Sequence, residues 1–389
     1  MNKNKNIGIA AYAETKIAMA SGRSSYDMAA EVLESILEKT GFELAEIDGL
    51  AVAETMSETS NPFWPAYMAD MLGLSPTWLE CLGLGGVSAT GGVARAVAAI
   101  EAGFCTTVLV LSTDAQSTKN QSEQGGQRPE FQYPTGLRGP VGAFGLLTQR
   151  YRHLHDLDDR ALGKLAVTQR EHGLLNPNAC EKLRKPITVE DYLKSKYVSE
   201  PLRMLDSVMV CDGANGVLLT TREKAREKGL DKMVFPTAYA EITNYKAFEP
   251  EAEITEGGFS VVGPKALSQA GMKPADVAMF QPYDDFLIAI LLQFEQIGFC
   301  GTGEGSRFIL DNDFSYRGNL PLNTGGGQIS AGQPGLAGGG VNLTEAVRQM
   351  FAEAGDRQVK NVANAVVTGI GTIPIGRNWS SSGVLVLEQ

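Results

Sequence analysis

Residues 83–112 read GLGGVSATGGVARAVAAIEAGFCTTVLVLS and contain three elements in succession. A glycine-rich turn opens the segment, a helix of small residues follows over Val87–Ala102, and Thr106–Ser112 is an apolar strand. Apolar strands separated by helices are typical of a sheet buried on both faces. The segment therefore predicts an α/β fold with a mostly parallel sheet.

The same order of elements returns in the second half of the chain. Residues 323–335 read NTGGGQISAGQPG, helical periodicity continues through Ala354, and Val362–Gly369 is a strand. We interpret this as an internal duplication of one α/β unit. The charged run 222–232 separates the halves, so the predicted domains are 1–228 and 229–389. The first includes a loop or cap region over 116–200, whose polar start is either a functional loop or a surface excursion.

The composition excludes several classes of protein. The 389 residues carry a net charge of −11, which argues against nucleic acid as the main partner. The five cysteines form no CxxC pair, so we expect no disulfide framework, no zinc ribbon and a reducing, cytoplasmic environment. No run of 18 apolar residues exists, and the N-terminus reads as a first strand, so we expect neither a membrane span nor a signal peptide. Because the chain has only three histidines, we also expect no metal site.

Two segments carry residues suited to chemistry. Gly85 and Gly86 precede a helix, where backbone N–H groups approach a ligand and favour negative charge. The alternative is that these glycines serve close helix packing alone. Tyr283 follows a strand and can donate or accept a proton, whereas Asp284 or Asp285 can cap the helix that comes next.

The order of these segments resembles the thiolase superfamily over essentially the full chain, especially the sterol-carrier-protein-type thiolases. The matching pieces are Gly86-Val87-Ser88, Ile100-Glu101-Ala102-Gly103, Asp212-Gly213-Ala214, Tyr283-Asp284-Asp285-Phe286 with Glu295 and Gly298, Asn323 with Gly325-Gly326, and Gly332-Gln333-Pro334. The resemblance implies a five-layered αβαβα body that is built from two related halves and is usually dimeric.

The catalytic positions depart from the family pattern. The nucleophilic cysteine of thiolases falls on Gly86, and the histidine of the Gly-His-Pro motif falls on Gln333. The oxyanion-holding histidine falls on Tyr283, and the second cysteine is absent from the glycine turn 369–372. Cys81 lies outside the motif and is expected to be structural, as is His172. Thiolysis through a cysteinyl acyl-enzyme is therefore not expected.

A cysteine-less branch of this superfamily resembles the chain more closely. Its members act as retro-aldolases on acyl-CoA thioesters, carry a tyrosine where Tyr283 stands, and pair with a small zinc-ribbon and OB-fold protein. The resemblance implies retro-aldol cleavage of a β-hydroxyacyl-CoA, with catalytic roles for Tyr283, Asp284, Gln333 and Gly86. That branch also tends to use a second tyrosine where Gln333 stands, so the match is incomplete.

The remaining expectations concern ligands and alternatives. The predicted substrate-binding residues are Gly85, Ser88, Tyr245, Asn323, Gly326 and Gly371. Coenzyme A is expected only as part of the substrate, with no further cofactor, and the chain is expected to form a homodimer. Two other functions stay open: thiolysis or acyl transfer on a β-ketoacyl-CoA by direct attack of CoA, and a non-catalytic subunit of a complex.

Overall fold

The computed structural model describes residues 5–119, 133–137, 139–249, 253–372 and 379–389. The strands are β1 (Ile7–Glu14), β2 (Gly49–Ala53), β3 (Trp78–Leu82), β4 (Thr107–Asp114), β5 (Tyr197–Ser199), β6 (Leu202–Arg203), β7 (Gly213–Thr221), β8 (Phe235–Thr243), β9 (Phe280–Gln281), β10 (Asn364–Ile370) and β11 (Ser381–Glu388). The helices are α1 (Ser25–Thr40), α2 (Trp64–Met71), α3 (Ser88–Glu101), α4 (Gly139–Leu154), α5 (Asp159–Leu175), α6 (Val189–Lys194), α7 (Arg222–Glu227), α8 (Phe259–Gln269), α9 (Leu287–Ile297), α10 (Gly305–Asp311), α11 (Gly327–Ala331) and α12 (Gly338–Met350).

Two mixed sheets repeat one topology. The strand orders are β1-β7-β4-β2-β3 and β8-β11-β10-β9. In each sheet the first two pairings are antiparallel and the next is parallel. The repeat supports the duplication. The other named strands of each sheet share one direction, as predicted for a mostly parallel sheet, whereas β7 and β11 are reversed, which was not predicted. A strand buried on both faces reads as a continuous apolar run whichever way it points, so its composition does not reveal its direction.

Five layers of secondary structure follow from these sheets. Helix α1 covers the outer face of the first sheet, α3 and α12 lie between the sheets, and α8 and α9 lie beyond the second. The central layer is held by small and branched side chains such as Val93, Ala96 and Val347, which are fully buried. The αβαβα fold is thereby confirmed. The first sheet ends at Thr221 and the second begins at Phe235, while the domain boundary itself stays a prediction.

Local residue types explain the ends of helix α1 and the two elements, β3 and α4, that the sequence analysis did not predict. Helix α1 begins at the Ser24 side chain, which accepts from Asp27 N at 3.1 Å, and ends at Gly41 with φ of 67°; serine and glycine are the residue types that favour these two positions. Strand β3 was not predicted, because Glu80 interrupts its apolar run. Helix α4 starts inside a stretch expected to be a loop, because Pro140 stands in its first turn, where proline is tolerated. Much of the predicted loop lies outside the described residues.

None of the helices within the described ranges has the length and apolar character that crossing a bilayer requires.

A buried charge network joins the ends of the chain to the central layer. Glu345 on α12 pairs with Arg348 at 2.6 Å and with Arg357 at 3.0 Å, and Arg348 also pairs with Glu14 of β1 at 2.6 Å. Thr324 donates to Glu345 Oε1 at 2.9 Å. Burial alone would raise the pKa of Glu345, but Arg348 and Arg357 lower it to about 2. The network therefore fixes the start of the 323–335 turn.

We expect Glu345→Gln to lower the free energy of unfolding by about 3 kcal/mol, because it leaves two buried guanidinium groups without their shared carboxylate. Urea titration followed by circular dichroism measures this. Asp311→Asn is the matched control: its pair with Arg307 is exposed, and its loss should cost less than about 1 kcal/mol. Equal costs for the two variants would contradict the assignment.

Candidate active site

The two central helices begin at one point, in contact with the end of β10. A short 3₁₀ turn, Gly85–Val87, precedes α3, and a second, Gly335–Ala337, precedes α12. A methyl carbon added at Gly339 would lie 2.1 Å from Gly86 O, and one added at Gly369 would lie 2.6 Å from it. No side chain fits at these separations, so glycine at both positions lets the three backbone segments touch.

Tyr283 covers the start of α3. A methyl carbon added at Gly86 would lie 2.0 Å from Tyr283 Cε2 and 2.5 Å from Cζ. The tyrosine ring thus occupies the space into which a side chain at residue 86 would project. A nucleophilic cysteine at position 86 and this placement of Tyr283 exclude each other sterically.

The backbone of Tyr283 is held from two sides. Its N–H donates to Thr368 Oγ1 at 2.8 Å, and its carbonyl accepts from Gln293 Nε2 at 2.9 Å. The Thr368 hydroxyl in turn donates to Gln293 Oε1. Strand β10 and helix α9 therefore fix the residue through one buried, closed set of bonds.

The hydroxyl of Tyr283 keeps its proton at neutral pH. The side chain is 5% exposed, and burial raises its pKa well above the ordinary range. The nearby charge of Asp285 raises it further, and the side chains of Gln333 and Gln328 offset part of the increase. The hydroxyl is consequently suited to donate a hydrogen bond or a proton, and unsuited to act as a base.

Gln328 is a site residue that the sequence reasoning missed. Within the described structure both atoms of its side-chain amide are buried without a hydrogen-bond partner. A methyl carbon added at Gly338 would lie 2.1 Å from Gln328 Oε1 and 3.1 Å from Gln333 Cγ, so both amides lie at the start of α12. Buried polar atoms without protein partners are candidates for ligand contact. The available signal was an uncharged polar residue inside a glycine-rich turn.

Asp284 is predicted to be catalytic, which stays a prediction; the contacts that the structure shows for its carboxylate hold the backbone in place. Its carboxylate accepts from Gln328 N at 3.0 Å, from Ile329 N at 3.1 Å and from Asn342 Nδ2 at 3.1 Å. Burial raises the pKa of Asp284 to about 6, and these donors limit the increase. The carboxylate is committed to holding the 323–335 turn, where it caps α11 and not the long helix that follows it in sequence.

The first and third glycine turns form one wall of the site. A methyl carbon added at Gly85 would lie 3.0 Å from Gly371 Cα, and one added at Gly371 would lie 2.4 Å from Leu84 O. The Ser88 hydroxyl donates to Leu82 O at 3.0 Å and accepts from Leu84 N at 3.1 Å. Ser88 therefore shapes the turn, and its contact with substrate stays a prediction.

The three other predicted binding residues are Asn323, Gly326 and Tyr245. Asn323 donates from Nδ2 to Gln169 Oε1 at 2.8 Å, although its Oδ1 is buried with no partner among the described residues. Gly326, with φ of 100°, packs on α5, where an added methyl carbon would lie 2.7 Å from Gly173 Cα. Tyr245 lies in the turn after β8, and its role in binding stays a prediction.

His172 and Cys81 are structural in this arrangement. His172 Nε2 accepts from Tyr316 N at 3.1 Å, so its Nδ1 carries the proton and donates to Asn323 O at 3.2 Å. Burial lowers the pKa of His172 to about 4 and raises that of the Cys81 thiol to about 11. Across the ranges that the structure describes, no three His, Cys, Asp or Glu side chains are grouped to hold a metal ion.

Comparison with known proteins agrees with this geometry. Residues 240–389 match the family described as thiolase C-terminal domain-like. The 17-hydroxy-3-oxo-4-pregnene-20-carboxyl-CoA lyase of Mycobacterium tuberculosis is 31% identical over 90% of this chain and 95% of its own. The chain belongs to the thiolase superfamily.

Two further relatives identify the branch. The steroid side-chain-cleaving aldolase of Thermomonospora curvata is 29% identical over 94% of this chain and 95% of its own. A solved structure described as "Ltp2-ChsH2(DUF35) aldolase" superposes with a TM-score of 0.84 at 27% identity, covering 99% of this chain and 98% of that one. The predicted family and reaction class are confirmed: the chain is a thiolase-fold carbon–carbon lyase of the aldolase branch.

The steric conflict between residues 86 and 283 can be measured. We expect Gly86→Ala to destabilise the protein by about 2 kcal/mol, because the added methyl collides with a buried ring. In a Tyr283→Ala background the same change should cost at least about 1 kcal/mol less, since the collision with Ile370 O at 2.7 Å remains while that with the ring is gone. A double-mutant cycle of unfolding free energies tests this, and strictly additive values would contradict the contact.

Proposed function

We propose that the protein cleaves a β-hydroxyacyl-CoA by a retro-aldol reaction and releases a ketone or aldehyde with a shorter acyl-CoA. The observation that carries this proposal is the Tyr283 ring lying against Gly86. It removes the place of a covalent nucleophile and puts a protonated hydroxyl there instead. Retro-aldol cleavage needs no covalent intermediate, so it is the carbon–carbon cleavage that suits such a site.

The charge that develops in this reaction is an enolate on the thioester. Helices α3 and α12 both begin beside Tyr283, and each helix N-terminus carries a partial positive charge. Both lie in a buried environment, where fixed dipoles act more strongly than in water. We assign enolate stabilisation to these two helix starts, with Tyr283 and the Gln328 and Gln333 amides as hydrogen-bonding groups.

The proposed substrate carries its β-hydroxyl on a bulky alicyclic carbon. Support comes from the relatives, whose names describe a steroid carboxyl-CoA lyase and a steroid side-chain-cleaving aldolase. Coenzyme A enters as part of the substrate, and no further cofactor takes part in the proposed mechanism. The thioester carbonyl would lie toward Gly86, because that is where the two helix starts meet.

The proposal includes a second protein. The solved relative is an aldolase whose name joins it to a DUF35 protein, which supports a small zinc-ribbon and OB-fold partner for this chain. A homodimer of the chain would form the centre of such an assembly. Size-exclusion chromatography with light scattering, on the chain alone and mixed with a DUF35 protein encoded beside it, tests both statements. Elution as a monomer without complex formation would contradict them.

Tyr283→Phe should lower kcat for aldol cleavage by about 100-fold or more, because it removes the donated proton and leaves the ring in place. The measurement is release of ketone from a β-hydroxyacyl-CoA panel without added free CoA. Tyr67→Phe on α2, where the side chain is 52% exposed, is the matched control and should leave the rate unchanged. Retained activity in Tyr283→Phe would refute the assigned role.

The same assay separates the alternative reactions. A strict requirement for free CoA on a β-ketoacyl-CoA would favour thiolysis by direct CoA attack. Absence of turnover on every substrate, with tight binding of the partner protein, would favour a non-catalytic subunit.

A further inference from the structure

Asp285 carries a buried carboxylate oxygen that the fold does not satisfy. In the described part of the chain its Oδ1 has no hydrogen-bond partner, although part of the residue reaches solvent. Its neighbour Asp284 accepts three hydrogen bonds. A buried carboxylate oxygen without a hydrogen-bond partner lowers stability, and such a group is usually retained where it has a function.

The backbone places Asp285 beside the other site residues. Asp285 O accepts from Val208 N at 3.2 Å, and Met209 O accepts from Gln333 N at 3.0 Å. Adjacent residues of one segment therefore contact Asp285 and Gln333. Tyr283 lies two positions earlier in the same turn, close enough for the charge of Asp285 to raise the pKa of its hydroxyl. The carboxylate and the tyrosine thus belong to one site.

The reaction needs a group that Tyr283 and Gln333 cannot supply. The β-hydroxyl must lose its proton as the Cα–Cβ bond breaks. Tyr283 retains its own proton, and the Gln333 amide does not titrate. Asp284 is occupied by its three donors. Among the polar side chains assigned to the site, Asp285 is the carboxylate with a free oxygen.

We propose that Asp285 is the general base that accepts the β-hydroxyl proton, an inference that rests on the retro-aldol function proposed above. As the proton moves to Asp285, the O–H electron pair becomes the second bond of the new carbonyl. The Cα–Cβ pair moves onto the thioester as an enolate, whose Cα then takes a proton from Tyr283 or water. Asp285 then releases its proton to solvent, and where Tyr283 was the donor it regains a proton from solvent, so the reaction consumes no other reagent.

The charge environment suits this task. Burial and, after it, the adjacent Asp284 carboxylate raise the pKa of Asp285 to about 8, although backbone N–H groups of Phe286 and Asp285 offset part of the increase. Val208, whose N–H donates to Asp285 O, is uncharged, and so is Ser207, which pairs with Phe286. A base is active when ionised, so kcat/KM should rise with pH through about 8 and then level off.

The test uses the full chain with its partner protein and a β-hydroxyacyl-CoA that the wild type cleaves. Asp285→Asn should lower kcat by at least about 100-fold, change KM by less than about 3-fold, and remove the rise of kcat/KM with pH. Asp285→Glu, which restores a carboxylate, should recover part of the rate. Asp311→Asn, an exposed carboxylate on α10, is the matched control and should behave as wild type.

Folding of the variant can be checked independently. Because the folded protein raises the pKa of Asp285, ionisation of this group costs stability that grows as pH rises from about 4 toward 8. Asp285→Asn should therefore have a higher Tm than wild type at pH 8, and the difference should shrink at pH 5. A stable variant without activity cannot be explained by misfolding.

The experiment distinguishes failure of the proposed function from failure of the role assigned to Asp285. A wild type that cleaves no β-hydroxyacyl-CoA would overturn the proposed function before any variant is compared. An active wild type with more than about a tenth of its kcat retained in Asp285→Asn, or with a flat pH profile between 6 and 9, would overturn the role of Asp285 alone. If the variant failed to fold, the wild-type profile would still decide the matter.

Discussion

The contact of Gly86 with Gly339, Gly369 and the ring of Tyr283 is the constraint on which the rest of the structure depends. Backbone atoms meet there at distances that no side chain tolerates, and this brings the starts of both central helices together. The two sheets can then enclose a single central layer. The same contact gives the site its chemistry, because two helix N-termini converge where Tyr283 presents its hydroxyl. The same glycines therefore allow the close packing of the central layer and bring the positive ends of both helices to the site.

Polar groups around this contact divide into two sets. Asp284, Ser88, Thr368 and Gln293 satisfy one another or the backbone, and they hold the turns in place. The amide of Gln328, the Oδ1 of Asn323 and the Oδ1 of Asp285 are buried without partners among the described residues. The second set lowers the stability of the fold, because its buried polar atoms lack hydrogen-bond partners. Such a loss of stability is expected at a site where a ligand supplies the missing partners.

Much of the architecture was predictable from local signals. Helix α1 is bounded by Ser24 and Gly41, residue types that favour helix ends, and the repeated order of turn, helix and strand predicted the duplication. Strand direction was not predictable. Both β7 and β11 are buried on both faces, and a continuous apolar sequence does not indicate which way a strand runs in its sheet. Site residues were harder: Tyr283, Gln333 and Gly86 were identified from their places in a motif, whereas Gln328 had no such place. The resemblance assigned a catalytic role to Asp284, although no local signal separates it from the adjacent carboxylate of Asp285.

The sequence by itself determined that this is a thiolase-type α/β chain without a cysteine nucleophile, because residue identity at motif positions is a one-dimensional property. Only the tertiary structure decided why the cysteine is absent, since the collision between residue 86 and the Tyr283 ring joins positions nearly two hundred residues apart. It also decided which of two neighbouring aspartates is satisfied, because hydrogen-bond donors for Asp284 come from α11 and α12. The burial of a side chain and its hydrogen-bond partners depend on tertiary contacts, which a local sequence pattern does not specify.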